Sequence, residues 1–249
     1  MKMLELDNLL SAAKSAARLG GQFILQHQGA DLQILLNEGR DVKLYLDIET
    51  EEIIKKNISS KNSFPILGEE TGLSDKLTEH YWVIDPLDGT SNFLRNIPIS
   101  CVSIALMQDE NPILGVIYDF NNNDMYFGHK KSRAFLNSEE IKVSNILHKS
   151  ESTLATGIPA KTNYADKEFS QMIADFQSWK KIRMIGSAAM AAAYVASGKV
   201  EEYKEDGIFL WDVAAGAAIV NAAGGKATLK NLRSDYRVDA KFFNNKIEE

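Results

Sequence analysis

The stretch YWVIDPLDGTSNF, residues 81–93, is the most informative part of this sequence. It opens with an aromatic and β-branched run, 81–84, which is typical of a buried strand. The run continues into DPLDGT, residues 85–90, where Pro86 removes a backbone hydrogen-bond donor and is expected to end the strand ladder. Gly89 permits a tight turn. The pattern therefore predicts two carboxylates, three residues apart, on a stiff turn at the end of a strand.

Two interpretations of this turn are open. Asp85, Asp88 and Thr90 supply oxygen atoms on a rigid loop, and such hard ligands suit Mg²⁺, which prefers octahedral oxygen coordination and often shares it with substrate phosphate. The alternative is an Asp-Pro turn followed by a helix cap at Thr90 or Ser91, since Asp, Pro, Gly and Ser favour such turns anyway. A cap needs one oxygen and this turn supplies three, which favours the metal site.

The composition is that of an acidic globular protein. The 249 residues are 45% hydrophobic and 25% charged, with a net charge of −6 and a pI near 5.4. This length allows one large α/β domain or two closely joined halves. The negative charge argues against non-specific binding to nucleic acid or to an anionic membrane. An acidic protein that handled an anionic phosphate would need a cation between them, which fits a metal site.

Cysteine usage and hydropathy predict a cytoplasmic protein. Cys101, the single cysteine, lies in the apolar run ISCVSIALM. It rules out an intrachain disulfide framework, fits a reducing compartment and is expected to be a core residue rather than a nucleophile. No apolar stretch approaches the ~20 residues of a membrane span. Glu5 and Asp7 would interrupt the hydrophobic region of a signal peptide.

Hydrophobic periodicity predicts helices and then a β-rich segment in the N-terminal half. Apolar residues recur at helical spacing over 4–27 and 47–58, which predicts two amphipathic helices. Residues 31–41 are expected to form a short strand or a loop, and 64–67 a short strand. Four β-rich segments separated by Asp, Glu and Asn turns predict a meander over 100–135.

After residue 150 the predicted strands and helices alternate, as in a sheet with helices packed on it. The strands are expected at 152–156, 181–184 and 199–205, and the helices at 166–178, 187–197 and 211–223. The last 15 residues are polar without a clear period and carry no prediction. We expect an N-terminal α+β half over 1–145 and a C-terminal α/β half over 146–249 that completes the site.

Further acids recur at the ends of these predicted elements. Asp41 and Asp47 flank the start of the second helix, Glu69 and Glu70 follow a short strand, and Asp212 opens a helix. Each has an ordinary structural explanation, since Asp47 and Asp212 could cap helices and the Glu pair could form a solvated turn. Together with the acids of the DPLDGT turn, they form a set whose order and spacing resemble those of a known family.

That family is the inositol monophosphatases, which are Mg²⁺-dependent, lithium-sensitive phosphatases. DPLDGTSNF (85–93) resembles its central signature, and WDVAAGAAIVNAAGG (211–225) resembles its third signature. GEETG (68–72) resembles its Gly-Glu-Glu motif. DVKLYLD (41–47) and RMIGSAA (183–189) correspond to two further segments, so the resemblance covers nearly the whole chain.

The resemblance implies a fold and a metal site. The fold would be the layered α/β/α/β/α sandwich of the sugar-phosphatase type, shared by inositol monophosphatases and fructose-1,6-bisphosphatases. Two or three Mg²⁺ ions would bind. Glu69, Asp85 and the carbonyl of Leu87 would hold one ion, and Asp85, Asp88 and Asp212 would hold a second. Glu69 would reach a third, weaker ion through water.

The resemblance also implies catalytic and substrate-binding residues. Thr90 and Asp47 would orient and deprotonate the attacking water, and backbone amides around Gly89 and Thr90 would hold the phosphate. Three further residues would lie at the substrate: Glu205, which would contact hydroxyl groups, with Ser187 and Ala188 near the same pocket.

The activity expected from this resemblance is Mg²⁺-dependent hydrolysis of a small phosphate monoester, with inositol monophosphate as the leading substrate. The alternatives within the enzyme class are fructose-1,6-bisphosphate, another sugar phosphate and a 3′-phosphoadenosine nucleotide. Ser91-Asn92-Phe93 differs from the Lys-Glu-Phe usual in the nucleotidase branch. A regulatory or binding protein on the same fold is a different class, since some relatives associate with the transcription machinery. Relatives are commonly homodimers, so a homodimer is expected.

Overall fold

The computed structural model describes residues 1–29, 34–38, 41–158 and 165–247, with side chains for all of these except 34–38 and 41–44. The helices are α1 Met3–Gln26, α2 Tyr45–Ser59, α3 Thr90–Leu94, α4 Asp166–Phe176, α5 Ala188–Ala196 and α6 Leu210–Ala222. The strands are β1 Ile34–Glu38, β2 Asp41–Leu44, β3 Ile66–Gly68, β4 Gly72–Leu73, β5 His80–Asp88, β6 Cys101–Gln108, β7 Asn111–Asp119, β8 Asp124–His129, β9 Ala134–Leu136, β10 Glu139–Ile141, β11 Thr153–Thr156, β12 Lys181–Arg183, β13 Glu202–Phe209, β14 Lys226–Lys230 and β15 Arg237–Phe243.

The larger sheet has the strand order β10-β9-β8-β7-β6-β5-β3-β4. Consecutive strands from β5 to β10 pair antiparallel, which confirms the predicted meander, while β3 joins β5 in parallel. The central strands β6 and β7 are buried over most of their length, because helices cover both faces of the sheet. Of the predicted segment 31–41, residues 31–33 and 39–40 lie outside the described residues, while Ile34–Glu38 pairs antiparallel with β2, which begins at Asp41.

Helices α1 and α2 pack on one face of this sheet. Leu6 of α1 and Ile54 of α2 are fully buried in the same apolar cluster as Trp82 of β5. Both predicted amphipathic helices are confirmed. The second begins at Tyr45, so Asp47 lies within its first turn rather than before it.

Helices α5 and α6 lie between the two sheets. Most of their side chains are buried, in one apolar cluster with strands of both sheets. Small residues let the two helices approach closely, since a Cβ at Gly216 would overlap the side chain of Ala192. A helix that is apolar on every side is expected where both of its faces are covered.

The smaller sheet has the order β12-β11-β13-β15-β14, parallel in β12, β11 and β13 and antiparallel in β15 and β14. Tyr203 of β13 points into the core beside Phe242. The next residue, Lys204, points to the opposite face, where its Nζ lies 2.5 Å from Asp175 Oδ2 of α4. Successive side chains of a strand alternate between faces, so α4 forms the outermost layer. The predicted α/β/α/β/α sandwich is confirmed.

Several boundaries differ from the prediction. The strand expected at 199–205 lies at Glu202–Phe209, and neither β14 nor β15 was predicted. Strand β15 buries Val238, Ala240 and Phe242 in alternation. The division of the chain at residue 145 stays a prediction, although the larger sheet ends at Ile141 and the smaller begins at Thr153. Within the described residues, every helix is too short or too polar to cross a lipid bilayer.

Candidate active site

Strand β5 delivers the DPLDGT turn through a bulge. The prediction that Pro86 ends the ladder is wrong: β5 continues to Asp88, with Asp85 opposite Ser103 and Asp88 opposite Cys101. Because β5 advances three residues while β6 advances two, one extra residue is accommodated between them. A bulge tolerates the missing N–H of proline within a strand. It also changes the direction of the chain just where the two carboxylates stand.

The backbone of the turn is fixed by its own side chains. Asp85 Oδ1 accepts a hydrogen bond from the N–H of Leu87 at 3.0 Å. The Thr90 hydroxyl donates to the carbonyl of Leu87 at 2.9 Å. Gly89 has φ +88°, and a Cβ there would lie 2.7 Å from the carbonyl oxygen of Ile99. Both the conformation and the space therefore require glycine.

Three carboxylates from three elements meet beside this turn. Glu69, Asp85 and Asp212 each place one oxygen so that all three oxygens lie within 4.8 Å of one another. Glu69 arrives from β3, whose Gly68 is the register partner of Ile84, and its N–H donates to the carbonyl of Ile84 at 3.1 Å. Asp212 arrives from the first turn of α6. Parallel register thus brings the residue after Gly68 beside the residue after Ile84.

Burial and mutual repulsion make this cluster electrostatically unfavourable without a cation. Desolvation raises the pKa of Asp85 well above its usual value, and the neighbouring charges of Glu69, Asp88 and Asp212 raise it further. Desolvation likewise raises the pKa of Asp212, with Glu69, Asp88 and Glu205 adding to it. Acids crowded in this way either take up protons or bind a cation. A donor set made of carboxylate oxygens fits a hard divalent ion such as Mg²⁺.

Asp88 is held by the N-terminus of α5. Its Oδ2 accepts hydrogen bonds from the Ser187 hydroxyl at 2.5 Å and from the N–H of Ala189 at 2.7 Å. Burial raises the pKa of Asp88 to about 6, although these hydrogen bonds oppose the shift. Ser187 also caps α5 by accepting from the N–H of Met190 at 3.2 Å. Asp88 is not in the three-residue group found among the described residues, but its charge acts on two of that group.

A cavity of about 470 Å³ opens over the cluster. Its lining includes most of the residues predicted at the site: Glu69, Asp88, Ser187, Ala188, Glu205 and Asp212. Glu205 lies on β13, and its Oε2 accepts from the Tyr203 hydroxyl at 3.0 Å. Burial raises the pKa of Glu205 to about 7. The raised pKa lets this carboxyl carry a proton closer to neutral pH than an ordinary glutamate, and a protonated carboxyl can both donate to and accept from a substrate hydroxyl.

The remaining predicted residues are not among those that line the cavity. Asp85 is 1% exposed and Asp47, in the first turn of α2, is 2% exposed. The hydroxyl of Thr90 lies on the carbonyl of Leu87, which is the predicted backbone ligand. The roles of Thr90 and Asp47 in activating water stay predictions.

Asn92 and Arg237 are among the site residues that were not predicted. Asn92 donates from Nδ2 to the carbonyl oxygens of Ile99 at 2.9 Å and Ile185 at 2.8 Å, and so ties the DPLDGT turn to the loop before α5. The sequence signal that could have identified Asn92 was its position in SNF, residues 91–93, at the end of the central signature. Arg237 lines the cavity from β15, a strand for which no prediction was made.

The fold and the site together define a class: a layered α/β sandwich with a carboxylate cluster where β3, β5 and α6 converge. Comparison with known proteins gives the family. The sequence model described as "Inositol monophosphatase family" matches residues 5–242. The chain therefore belongs to the inositol monophosphatase family.

Individual relatives have names of more than one kind. The "Nus factor SuhB" of Xylella fastidiosa is 38% identical, over 84% of this chain and 78% of that protein. The "Inositol-1-monophosphatase" of Mesorhizobium japonicum is 31% identical, over 87% of this chain and 84% of that protein. The solved structure of the inositol monophosphatase from Anabaena (Nostoc) superposes with a TM-score of 0.84 at 31% identity, and covers 97% of this chain and 92% of that chain.

Proposed function

We propose that this protein is a Mg²⁺-dependent phosphatase that hydrolyses a small phosphate monoester, with inositol monophosphate as its leading substrate. The observation that carries the proposal is the cluster of Glu69, Asp85 and Asp212, whose oxygens lie within 4.8 Å of one another. Burial and repulsion raise the pKa of both Asp residues. Membership of the family supports the phosphatase class. The names of relatives in yeast and in Mesorhizobium japonicum support the substrate.

Two metal ions would be held by five residues. One ion would be bound by Glu69, Asp85 and the carbonyl of Leu87, and the other by Asp85, Asp88 and Asp212. A third ion would be reached from Glu69 through water. When bound, Mg²⁺ neutralises the charge of the phosphate and lowers the pKa of water. The chain itself positions these ligands: the bulge of β5 sets the two Asp residues, and α5 fixes one oxygen of Asp88.

Other residues would orient the water and the substrate. Thr90 and Asp47 would orient the attacking water and accept its proton, and the amides around Gly89 and Thr90 would hold the phosphate. Glu205 would bind a substrate hydroxyl, with Ser187 and Ala188 on the wall of the same cavity. A volume of about 470 Å³ suits a small phosphorylated polyol.

Fructose-1,6-bisphosphatase activity is a second candidate within the enzyme class. A relative from Aquifex aeolicus, 33% identical, is named "Fructose-1,6-bisphosphatase/inositol-1-monophosphatase". The supporting observation in this chain is Arg237, a cation on the cavity wall that could bind a second phosphate. Other sugar phosphates and a 3′-phosphoadenosine nucleotide stay alternatives.

A regulatory role is the candidate from a different class, because three relatives between 34% and 38% identical are named "Nus factor SuhB". All the acids that the family resemblance implies as metal ligands are present in this chain, which favours the enzyme over a purely regulatory protein. Homodimerisation and a cytoplasmic location also stay predictions of the sequence.

Phosphate release from a substrate panel tests the proposal. The panel contains inositol 1-phosphate, fructose 1,6-bisphosphate, a hexose 6-phosphate and 3′-phosphoadenosine 5′-phosphate, each with Mg²⁺ and with EDTA. We expect Mg²⁺-dependent release that is greatest for inositol 1-phosphate. The control is Asp85→Asn, which should lose at least about tenfold in kcat/KM, or about 1.4 kcal/mol in transition-state stabilisation. Phosphate release that EDTA does not reduce would refute the metal-dependent mechanism. An Asp85→Asn variant as active as the wild type would refute it as well.

A further inference from the structure

Helix α2 contains a second buried acid that the proposed mechanism does not use. Glu51 lies one helical turn after Asp47 and is 0% exposed. Its Oε2 accepts the N–H of Glu70 at 2.8 Å, and its Oε1 accepts the N–H of Thr71 at 3.2 Å together with the Thr71 hydroxyl. One carboxylate thus receives three donors from the turn that follows β3.

Gly68 packs closely against the same carboxylate. A Cβ at position 68 would overlap the carboxyl group of Glu51. Gly68 is not among the glycines with positive φ in the described chain. A side chain at position 68 is therefore excluded by space alone, whereas at position 89 both space and backbone conformation exclude one. The Gly of the GEETG motif is explained by the contact with Glu51.

These contacts surround Glu69 on both sides. Gly68 packs on Glu51, the N–H of Glu69 donates to Ile84 of β5 at 3.1 Å, and the N–H of Glu70 donates to Glu51. The backbone that carries the Glu69 carboxylate is thus held between α2 and β5. Ligand positions depend on such outer contacts, because a metal binds most tightly when its ligands are already in place.

A purely structural role explains these contacts less well. Burying a carboxylate is unfavourable unless hydrogen bonds replace its lost hydration. Lys55 Nζ lies 4.0 Å from Glu51 Oε1, while it lies closer to Glu52, at 2.8 Å. The main partners of Glu51 are therefore the donors of the turn. Because its carboxylate accepts three hydrogen bonds from the turn that carries Glu69, Glu51 is suited to holding the Glu69 backbone in place.

We propose that Glu51 is a positioning residue that fixes the turn 68–71, and with it the Glu69 carboxylate, and so sets the affinity of the site for Mg²⁺. Glu51 touches neither substrate nor metal in this role. The proposal rests on the proposed function in one respect, since it takes Glu69 to be a metal ligand. Its effect on the turn itself is independent of that assignment.

The test compares Glu51→Gln with Glu52→Gln. Glutamine keeps the length of the side chain but replaces one acceptor oxygen with an NH₂ donor, which faces the donors of the turn. Glu52 is the adjacent acid on the same helix, with its side chain 59% exposed. Three quantities are measured: hydrogen exchange of the amides of Glu70 and Thr71 in metal-free protein, the Mg²⁺ dissociation constant by calorimetry without substrate, and kcat at saturating Mg²⁺.

We expect Glu51→Gln to accelerate exchange at both amides and to weaken Mg²⁺ binding by about tenfold or more, the usual cost of losing an outer contact of a metal ligand. The value of kcat at saturating Mg²⁺ should change far less. Glu52→Gln should stay close to the wild type in all three measurements, since Glu52 reaches the turn indirectly, through Lys55, whose Nζ donates to the Thr71 hydroxyl at 2.9 Å. If Glu51→Gln does not fold, Glu51→Asp and Thr71→Val are measured in its place, and both should show the same two effects at smaller size.

The possible failures are distinguishable. Unchanged exchange and unchanged Mg²⁺ affinity, or a lowered Tm without either effect, would overturn the positioning role. If the wild type itself binds no Mg²⁺, the proposed function fails. If the wild type binds Mg²⁺ and Glu51→Gln accelerates exchange without weakening binding, the turn is held by Glu51 but does not set affinity, which also overturns the proposal.

Discussion

The two adjacent acids of the turn after β3 have different surroundings. Glu69 places an oxygen in the group with Asp85 and Asp212. The N–H of Glu70 is taken by Glu51, and its carboxylate is not part of the three-residue group found in the described chain. One position along the backbone thus separates Glu69, the proposed metal ligand, from Glu70, whose backbone N–H donates to Glu51.

This difference predicts unequal losses for two otherwise identical substitutions. Glu69→Gln should lower kcat/KM by about 10-fold to 100-fold and raise the Mg²⁺ concentration needed for activity, because it removes a charged oxygen from the cluster. Glu70→Gln keeps its backbone N–H and should change both values far less. Steady-state kinetics over a Mg²⁺ titration would measure this. Equal losses, or a greater loss for Glu70→Gln, would place the ligand one residue further along.

At the residue scale, the sequence indicated acids whose chemistry is visible in their local pattern. Asp85, Asp88 and Asp212 stand in motifs with a strand or helix boundary beside them. Glu51 has no such context, since the exposed Glu49 and Glu52 lie next to it in the same helix. Only its spacing of four residues from Asp47, which puts both on one helical face, was available as a signal. The backbone donors that Glu51 binds lie 19 and 20 residues further along the chain, so the sequence of the helix could not reveal them.

The short segment before α5 links the two sheets at the element scale. Ser187 begins the helix by accepting from the N–H of Met190, and its hydroxyl donates to Asp88 on β5. The N–H of Ala189 donates to the same oxygen. The positive end of the helix therefore faces a carboxylate of the larger sheet, which favours the ionised form of that carboxylate.

Ser187→Ala tests this link. It removes the cap of α5 and one hydrogen bond to a buried carboxylate, which should cost about 1–3 kcal/mol and lower Tm by about 2–4 °C for each kcal/mol. Mg²⁺ binding should weaken as well, because the pKa of Asp88 would rise above about 6. Ser197→Ala is the control, since the Ser197 hydroxyl donates to Ala193 at the other end of α5. Thermal unfolding and calorimetry would measure both, and equal effects from the two variants would argue against the link.

Elements with a strong internal period were predicted, and those shaped by their partners were not. The meander and the two N-terminal helices follow from apolar spacing alone. Strand β15 alternates Val238, Ala240 and Phe242, but charged residues stand between them and one of the three is only alanine. Pro86 was expected to end β5, and the bulge that accommodates it depends on pairing with β6. Pairing is a property of two strands, so one strand's residues could not reveal it.

At the scale of the whole molecule, the five layers bring carboxylates from both halves of the chain into one place. Asp85 and Asp88 come from the larger sheet, Asp212 from the central helices and Glu205 from the smaller sheet. The pKa of each is raised, with burial as the first cause. The layering could be predicted only through the resemblance to a family, because strand and helix order alone is compatible with several sandwiches. The layering also buries these carboxylates close together, and their raised pKa values affect the stability of the whole fold.

Stability of the metal-free protein should therefore increase as the pH is lowered from 7.5 toward 5.5. A carboxyl whose pKa is raised in the folded state holds its proton more tightly when folded than when unfolded. Its contribution to stability is lost as pH rises from the unfolded value to the raised value: from 3.8 to about 6 for Asp88 and from 4.5 to about 7 for Glu205. Most of the penalty is thus present at neutral pH.

Differential scanning fluorimetry in EDTA, at pH values between 5.5 and 7.5, would measure this dependence. Mg²⁺ should raise Tm more at pH 7.5 than at pH 5.5, because a bound ion stabilises the folded state and protons compete with it for the same oxygens. Asp85→Asn should have a higher Tm than the wild type at pH 7.5 in EDTA, a shallower pH dependence and a smaller response to Mg²⁺. Other titrating groups shift both proteins alike, so the difference between them isolates the cluster. A wild-type Tm that falls as steeply as that of Asp85→Asn on acidification, with equal responses to Mg²⁺, would show that these carboxylates do not oppose one another in the folded protein.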